Sequence, residues 1–387
     1  MTIVLTGGGS GGHVTPLMAV AAELKLKHPE CKIIYIGQKG DRFADIPTLD
    51  KNFDQSYEIR AGKFRRFHGE GMKQLLDLPV LFKNVRDLIY VMMGIIQSRT
   101  LMKEIKPDVI FSRGGYVSVP VCLGGKLNGI PYITHDSDPI PSLANRIIAR
   151  WASVNAVALP KDIYPYAANK TVTTGIPLNK QFVPVDPELK SDYRKALGLP
   201  IRAKVIFVIG GGLGSQIVNE AVLDIMPHLL HDFRDLYVVH VAGGNNEASV
   251  RKHYGSSLSD EELRRIKVFG FIDEVYKYSG AADIVITRAG ATNLAEFAVQ
   301  GKACIVIPSA FLTGGHQLKS AEYLSELDAA IVINDEEISD DPNRLAKVLS
   351  QLLNDPDRLN GLSRRIASLG KPGASGIIAD LIYDVGK

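Results

Sequence analysis

Two stretches of this sequence repeat one plan. IVLTGGGSGGHVTP (residues 3–16) and VIFVIGGGLGSQIVN (205–219) each run from an apolar, β-branched segment into glycines and then into a helix-like segment. Each half later carries a second matching block, Asp108 to Gly115 and Asp283 to Gly290, in which Arg113 and Arg288 follow the aspartate by five positions and a glycine follows two later. Further β-branched runs, at 32–37, 131–135, 236–243 and 303–308, alternate with longer helix-like segments. Runs of that kind, apolar on both faces, are parallel strands joined by helices. The chain is therefore expected to be α/β, with two Rossmann-like domains whose parallel sheets face each other across an interdomain cleft, where doubly wound sheets bind ligands. Duplication without a shared site is the alternative.

At 387 residues the chain has room for two such domains. The pattern lapses in TGIPLNKQFVPVDP (174–187), where Pro177, Pro184 and Pro187 cannot continue a helix or a central strand. Expected boundaries are an N-terminal domain over 1–175, a linker over 176–187, a C-terminal domain over 188–368, and a C-terminal helix over 369–387 that packs back on the first domain. Cys31, Cys122 and Cys304 lie far apart, which fits neither a disulfide framework nor a sulfur-ligated metal, so a reducing compartment is expected. The start at Met1 lacks the charged and apolar regions of a signal peptide. Leu88 to Ser98, the uncharged stretch in the most hydrophobic region, is too short to span a bilayer.

GGGSGG (7–12) fits a dinucleotide fingerprint, but the next strand ends in Gly37-Gln38 and offers no ribose-binding acid, so NAD is disfavoured. Neither glycine loop carries the Lys-Ser/Thr of a P-loop. What remains is the general capacity of helix N-termini to hold a phosphate. His13 falls in the first turn of a helix expected over His13 to Lys27, with Pro16 near its start. A helix N-terminus favours neutral imidazole, which suits a general base; a histidine bonding only the loop backbone is the alternative. Ser10 offers a hydroxyl to the loop or to its ligand.

Glu296 stands off the apolar face formed by Leu294, Phe297 and Ala298, and its counterpart in the first half is Val121. Its carboxylate suits a ribose diol, unless it merely favours the helix dipole. Arg113 and Arg288 order their turns or supply positive potential. Asp136 and Asp138, within THDSDP, match only superficially the acid pair of a metal-dependent transferase; a helix cap or a ligand hydrogen bond is the competing reading of Asp138.

Charge is distributed unevenly. The total is +3, yet residues 60–106 hold ten Lys/Arg and four Asp/Glu, so that this segment is +6 and the remainder −3. Phe64, Phe67, Leu75, Leu76, Leu78, Leu81, Phe82 and Val85 interleave with these cations. Such a segment adsorbs to an anionic membrane surface, or else is a surface helix with its apolar side packed inward. No nucleic-acid-reading module accompanies the charge.

Taken in order, GGGSGGHVTP (7–16), PDVIFSRGGYVS (107–118), GIPYITHDSD (129–138), TGIPLN (174–179), VIGGGLGSQIVN (208–219), FGFIDEV (269–275), RAGATNLAEFA (288–298) and GGHQLKSAEYL (314–324) resemble the MurG family of bacterial glycosyltransferases over nearly the whole chain. The resemblance implies a GT-B fold and inverting transfer of N-acetylglucosamine from UDP-N-acetylglucosamine to polyprenyl-diphosphate-linked lipid I. It implies no cofactor and no metal for the chemistry, and a peripheral enzyme on the cytoplasmic face of the cell membrane. Ser10, Gly11, Gly12 and His13 would then form the loop near the reacting donor sugar, with His13 the base. Gly212 would begin the phosphate loop, Ile272 would meet uracil through its backbone, Ala291, Thr292, Asn293, Leu294 and Ala295 would contact the nucleotide, Glu296 the ribose and Gln317 the donor sugar. Tyr116, Ser118, His135 and Asp138 would lie on the acceptor side.

The chain departs from the family pattern at three places. The common His-Glu-Gln-Asn is His135-Asp136-Ser137-Asp138, the common Asn-Pro-Val-Arg is Ile176-Pro177-Leu178-Asn179, and the common Gly-Gly-Ser-Gln-Gly is Gly210 to Gly214 with Leu213 inside. Asn179 thus replaces an arginine, and Ser215 or Asn293 is left to supply a lost phosphate hydroxyl. A UDP-sugar 2-epimerase, a transferase for another lipid-linked acceptor and a non-catalytic membrane scaffold are the rival functions.

Overall fold

The computed structural model of the chain describes residues 1–8, 11–41, 50–63, 78–309, 315–341 and 343–387. It forms two compact units, one of Met1–Lys180, Phe311–His316 and Lys371–Lys387, the other of Gln181–Ala310 and Gln317–Gly370.

The first unit holds a seven-stranded sheet in the order β3-β2-β1-β4-β5-β6-β7, with every neighbouring pair parallel. Its strands are β1 (Thr2–Thr6), β2 (Lys32–Gln38), β3 (Gln55–Ile59), β4 (Val109–Ser112), β5 (Tyr132–Asp136), β6 (Val154–Val157) and β7 (Thr171–Thr173). The second unit holds β8 (Lys204–Ile209), β9 (Leu236–Val241), β10 (Ile266–Phe269), β11 (Ile284–Thr287), β12 (Ala303–Val306) and β13 (Ile331–Val332), in the parallel order β10-β9-β8-β11-β12-β13. The helices used below are α1 (Gly11–Lys27), α2 (Leu78–Ile105), α3 (Ser118–Lys126), α4 (Leu143–Ile148), α5 (Gln216–Asp232), α6 (Ala291–Gln300), α7 (His316–Glu326) and α8 (Ala374–Gly386).

Alternate strand residues feed opposite layers, which is why the strands read as unbroken apolar runs. Ile3, Leu5, Val109, Phe111 and Ile133 pack with Leu17, Val20 and Leu24 of α1 and with Ile378 and Ile382 of α8. Val4, Ile34, Ile110 and Tyr132 pack on the other face with Met102 of α2 and Val121 of α3. The last helix thus completes the first unit's core. Its Asp380 pairs with Lys27 at 2.7 Å, and Tyr383 stacks on His28 with ring centroids 3.6 Å apart.

In both sheets the chain leaves the first strand for one neighbour and returns to the other, so β1 and β4, like β8 and β11, flank a switch in strand order. Register brings the ends of those strands level, Thr6 with Ser112 and Ile209 with Thr287. Segments following these strands therefore diverge to opposite faces and leave a crevice at the carboxyl ends. Short or edge strands such as QSYEI (β3) escape the sequence pattern because half-exposed edge positions do not need to be apolar.

Candidate functional site

The switch point of the first unit collects two glycine segments. Gly114 and Gly115, just after β4, have φ of +84° and +83°, and a Cβ on Gly115 would stand 2.9 Å from the Gly8 carbonyl oxygen. Only glycine lets the two loops approach this closely. Tyr35 of β2 donates its hydroxyl to the Gly7 carbonyl at 2.7 Å, and Ser118 at the start of α3 donates to the Gly114 carbonyl at 2.8 Å. Ser118 therefore shapes the second loop, while Tyr116 beside it is half-buried.

α1 starts at Gly11, two residues ahead of the expected start, so Gly11, Gly12 and His13 are its first three residues and Ser10 lies outside the described residues. Pro16 consequently falls inside the helix, where it cannot donate to the Gly12 carbonyl. His13 is half-buried, and its Nδ1 lies 3.2 Å from the Arg113 carbonyl oxygen. Its pKa is lowered to about 4, first by burial and next by the Arg113 charge, so the ring is neutral near pH 7. The expected neutrality is present, but burial and a neighbouring cation account for it.

His135 and its neighbours form a more structural group. His135 is fully buried in β5, and its Nε2–H donates to the Gly175 carbonyl at 2.8 Å, tying this strand to the segment after β7. Asp136 accepts from the Tyr166 hydroxyl at 2.6 Å and from the Ser142 backbone N–H at 3.4 Å, ahead of α4. Burial raises the carboxyls of Asp136 and Asp138 above the ordinary range. Among the described residues no group of three His, Cys, Asp or Glu is placed to hold a metal ion. Asn179 is exposed.

In the second unit, β8 runs into Gly210–Gly214 and then into α5. Gly211 and Gly214 have φ of +93° and +77°, and a Cβ on Gly214 would collide with the Ala242 carbonyl, whereas one on Gly212 would meet open space. Ser215 caps α5, its Oγ accepting from the Val218 N–H at 3.5 Å and from Arg288 Nε at 2.9 Å. With both lone pairs engaged, its hydroxyl proton is the valence left for a phosphate oxygen. Arg288 is structural, because its Nη1 also donates to the Ile307 and Pro308 carbonyls at 3.0 and 3.1 Å and to Asp335 at 2.7 Å.

Behind this loop stands a network that the sequence reading missed. His240 lies 3.0 Å from both the Tyr254 hydroxyl and Asn219 Oδ1, and Asn219 Nδ2 donates to the Ala242 carbonyl at 2.9 Å. This carbonyl is the one against which Gly214 packs, so the network fixes the loop. A histidine inside the apolar run LYVVHVAG was the available signal.

α6 begins at Ala291 after its N-cap Gly290, so Ala291, Thr292 and Asn293 form its first turn, followed by Leu294 and Ala295, with only Leu294 of the five buried. Glu296, in the second turn, is half-buried, and burial pushes its carboxyl up to about 8. Ile272, after β10, is buried, and its neighbour Phe271 is exposed. Gln317 of α7 accepts the Ser309 N–H through Oε1 at 2.9 Å, leaving the amide nitrogen as its donor.

A third feature lies on the outer surface of α2. Asp87, Val91, Ser98 and Met102 face inward and are buried, whereas Leu81, Phe82, Val85, Leu88, Ile89, Met92 and Ile96 are exposed, Phe82 by 74% and Ile96 by 65%. At 100° per residue the exposed set forms one stripe. Of the two alternatives for this segment, inward packing of the apolar side does not hold for Leu81, Phe82 and Val85. Phe64, Phe67, Leu75 and Leu76 lie outside the described residues, as does the side chain of Leu78. No helix among the described residues is long and apolar enough to cross a membrane.

Residues 3–157 match the Glycosyltransferase family 28 N-terminal domain, and residues 205–375 match the corresponding C-terminal domain. A curated protein of Listeria monocytogenes serotype 4a is 31% identical over 389 residues, covering 100% of both chains. It is named UDP-N-acetylglucosamine–N-acetylmuramyl-(pentapeptide) pyrophosphoryl-undecaprenol N-acetylglucosamine transferase. The crystal structure of Acinetobacter baumannii MurG aligns with a TM-score of 0.73 at 23% identity, over 99% of each chain. A UDP-GlcNAc 2-epimerase of Neisseria meningitidis, solved bound to UDP-GlcNAc, aligns with a TM-score of 0.66 at 14% identity, over 99% of this chain and 100% of its own. The two structures share the fold with this chain.

Proposed function

The chain belongs to glycosyltransferase family 28, within it to the MurG transferases, and from that premise we propose that it transfers N-acetylglucosamine from UDP-N-acetylglucosamine to the muramyl sugar of undecaprenyl-diphosphate-linked lipid I, forming lipid II for peptidoglycan synthesis. The observation that carries this reading is 31% identity to the named transferase over the whole length of both chains. The epimerase likeness is one of fold at 14% identity, and fold alone does not select a reaction.

The donor is assigned to the second unit. Uracil meets the Ile272 backbone, the ribose hydroxyls donate to Glu296, Ala291 to Ala295 line the nucleotide, and Gln317 offers its amide to the sugar. The diphosphate rests on Gly210–Gly214 and the N-terminus of α5, where Gly212 leaves room and the Ser215 hydroxyl donates. In the first unit His13 Nε2 takes the proton of the acceptor hydroxyl, whose oxygen attacks the anomeric carbon and expels UDP with inversion. Gly11 and Gly12 keep the approach to the donor sugar open, and Ser10, outside the described residues, is assigned to the same sugar. Tyr116 and Asp138 contact the acceptor, and Asn179 stands where the family places an arginine. His135 and Ser118 hold the surrounding loops, since their hydrogen bonds go to backbone carbonyls. Helix N-termini stabilise the departing diphosphate and no bound cofactor takes part; turnover that persists in EDTA is the expected outcome, and its loss would assign the role to a metal.

The enzyme works as a peripheral protein on the cytoplasmic face of the membrane. The α2 stripe inserts shallowly, while Arg99 and Lys103 on the same face of the helix meet anionic headgroups and bring the lipid-linked acceptor to His13. Supplying UDP-N-acetylglucosamine with and without lipid I tests transfer itself. UDP appears only with lipid I if the enzyme transfers, whereas formation of a 2-epimer without acceptor would establish the rival.

A further inference from the structure

Arg113 follows β4 at the switch point and is 2% exposed, yet its Nε has no hydrogen-bond partner. A buried guanidinium ordinarily forks onto a carboxylate. The negative charges facing this one are Asp138 and Asp136 from the end of β5, with the Tyr164 phenol also close by. Its peptide does have a partner, because the Arg113 carbonyl stands 3.2 Å from His13 Nδ1. A carbonyl only accepts, so Nδ1 carries the ring proton and Nε2 keeps its lone pair.

We propose that Arg113 is the positioning residue for His13: its carbonyl selects the imidazole tautomer whose Nε2 is free to accept a proton, and its buried guanidinium, offset by Asp136 and Asp138, holds a permanent positive charge beside that ring. This rests on the assignment of His13 as the base. The charge works at two moments. Before reaction it keeps the ring unprotonated and ready; after His13 has accepted the acceptor proton, the imidazolium lies near a cation in a poorly solvated place, which favours passing the proton on. The other titratable groups facing His13 are His316 at the start of α7, Asp41 after β2 and His135 of β5. Asp41 favours the protonated ring. Arg113 alone among them is a permanent cation, so its removal has a defined sign.

The test follows the His13 ring nitrogens by NMR against pH in the full-length protein labelled with [15N]histidine, with His13→Gln identifying the signals. The wild-type ring is expected as the Nδ1–H tautomer with a midpoint of about 4. Arg113→Met raises this midpoint by about one unit, a roughly tenfold change in the protonated fraction, and Arg113→Lys restores it. Arg113→Gln, which removes the same charge but keeps a polar, hydrogen-bonding side chain in the buried site, raises the midpoint likewise and remains readable if Arg113→Met does not fold. The acid limb of kcat/KM moves with the midpoint in each variant. An Nε2–H tautomer, or a midpoint that neither Arg113→Met nor Arg113→Gln moves, overturns the proposal. Failure of the base assignment is distinct: His13→Gln would turn over fully while the NMR shifts remained as stated.

Discussion

Glu296 is the residue at which sequence and structure together yield the sharpest expectation. Its carboxyl, raised to about 8 by burial, is largely protonated at neutral pH without ligand. Two ribose hydroxyls donating to it would favour the carboxylate. UDP binding should therefore release a proton, and affinity should rise with pH until about 8. Calorimetry in buffers of different ionisation enthalpy measures both, and Glu296→Gln should bind UDP about tenfold more weakly without the pH dependence. The sign for stability follows from the same shift. A folded-state pKa above the unfolded value of 4.5 gives stability that is present below 4.5 and lost as pH rises through about 8, and Glu296→Gln should not show that loss in Tm. His13 and Glu296 were legible in the sequence because each breaks a local pattern, an imidazole next to glycines and a carboxylate where the other half has valine. The bare Nε of Arg113 and the hydroxyl of Tyr35 were not, since only tertiary neighbours determine whether a buried polar atom is partnered.

At the scale of elements, the strand-glycine-helix plan was legible because parallel strands buried on both faces leave continuous apolar runs. α2 shows the limit of that reading. Its composition fitted an inward-packed helix as well as a membrane-facing one, and only the sheet's position decides which face is covered. Replacing Phe82 and Ile89 with glutamine touches exposed positions, so the fold should be stable to within about 0.5 kcal/mol. Binding to vesicles containing anionic lipid should nevertheless fall at least about a hundredfold, from the loss of roughly 1.5–3 kcal/mol for each of the two side chains. Sedimentation with vesicles measures it; unchanged partitioning would remove this stripe from the membrane contact.

At the scale of the molecule, the two units share a plan but differ in how their cores close. α8 comes from the far end of the chain, and its Ile378 and Ile382 are fully buried against α1 and β4. Ile378→Ala should cost about 2–5 kcal/mol of first-unit stability, measured by urea unfolding of the full chain, while UDP binding by the second unit persists. What leaves the active site distinguishes transfer from every rival reaction. The most direct measurement is the mass and anomeric configuration of the lipid product formed from lipid I and UDP-N-acetylglucosamine. The expected product is lipid I plus one N-acetylglucosamine in β linkage, with one UDP per transfer. An α-linked product, an unchanged lipid I, or UDP-N-acetylmannosamine in place of free UDP would contradict it.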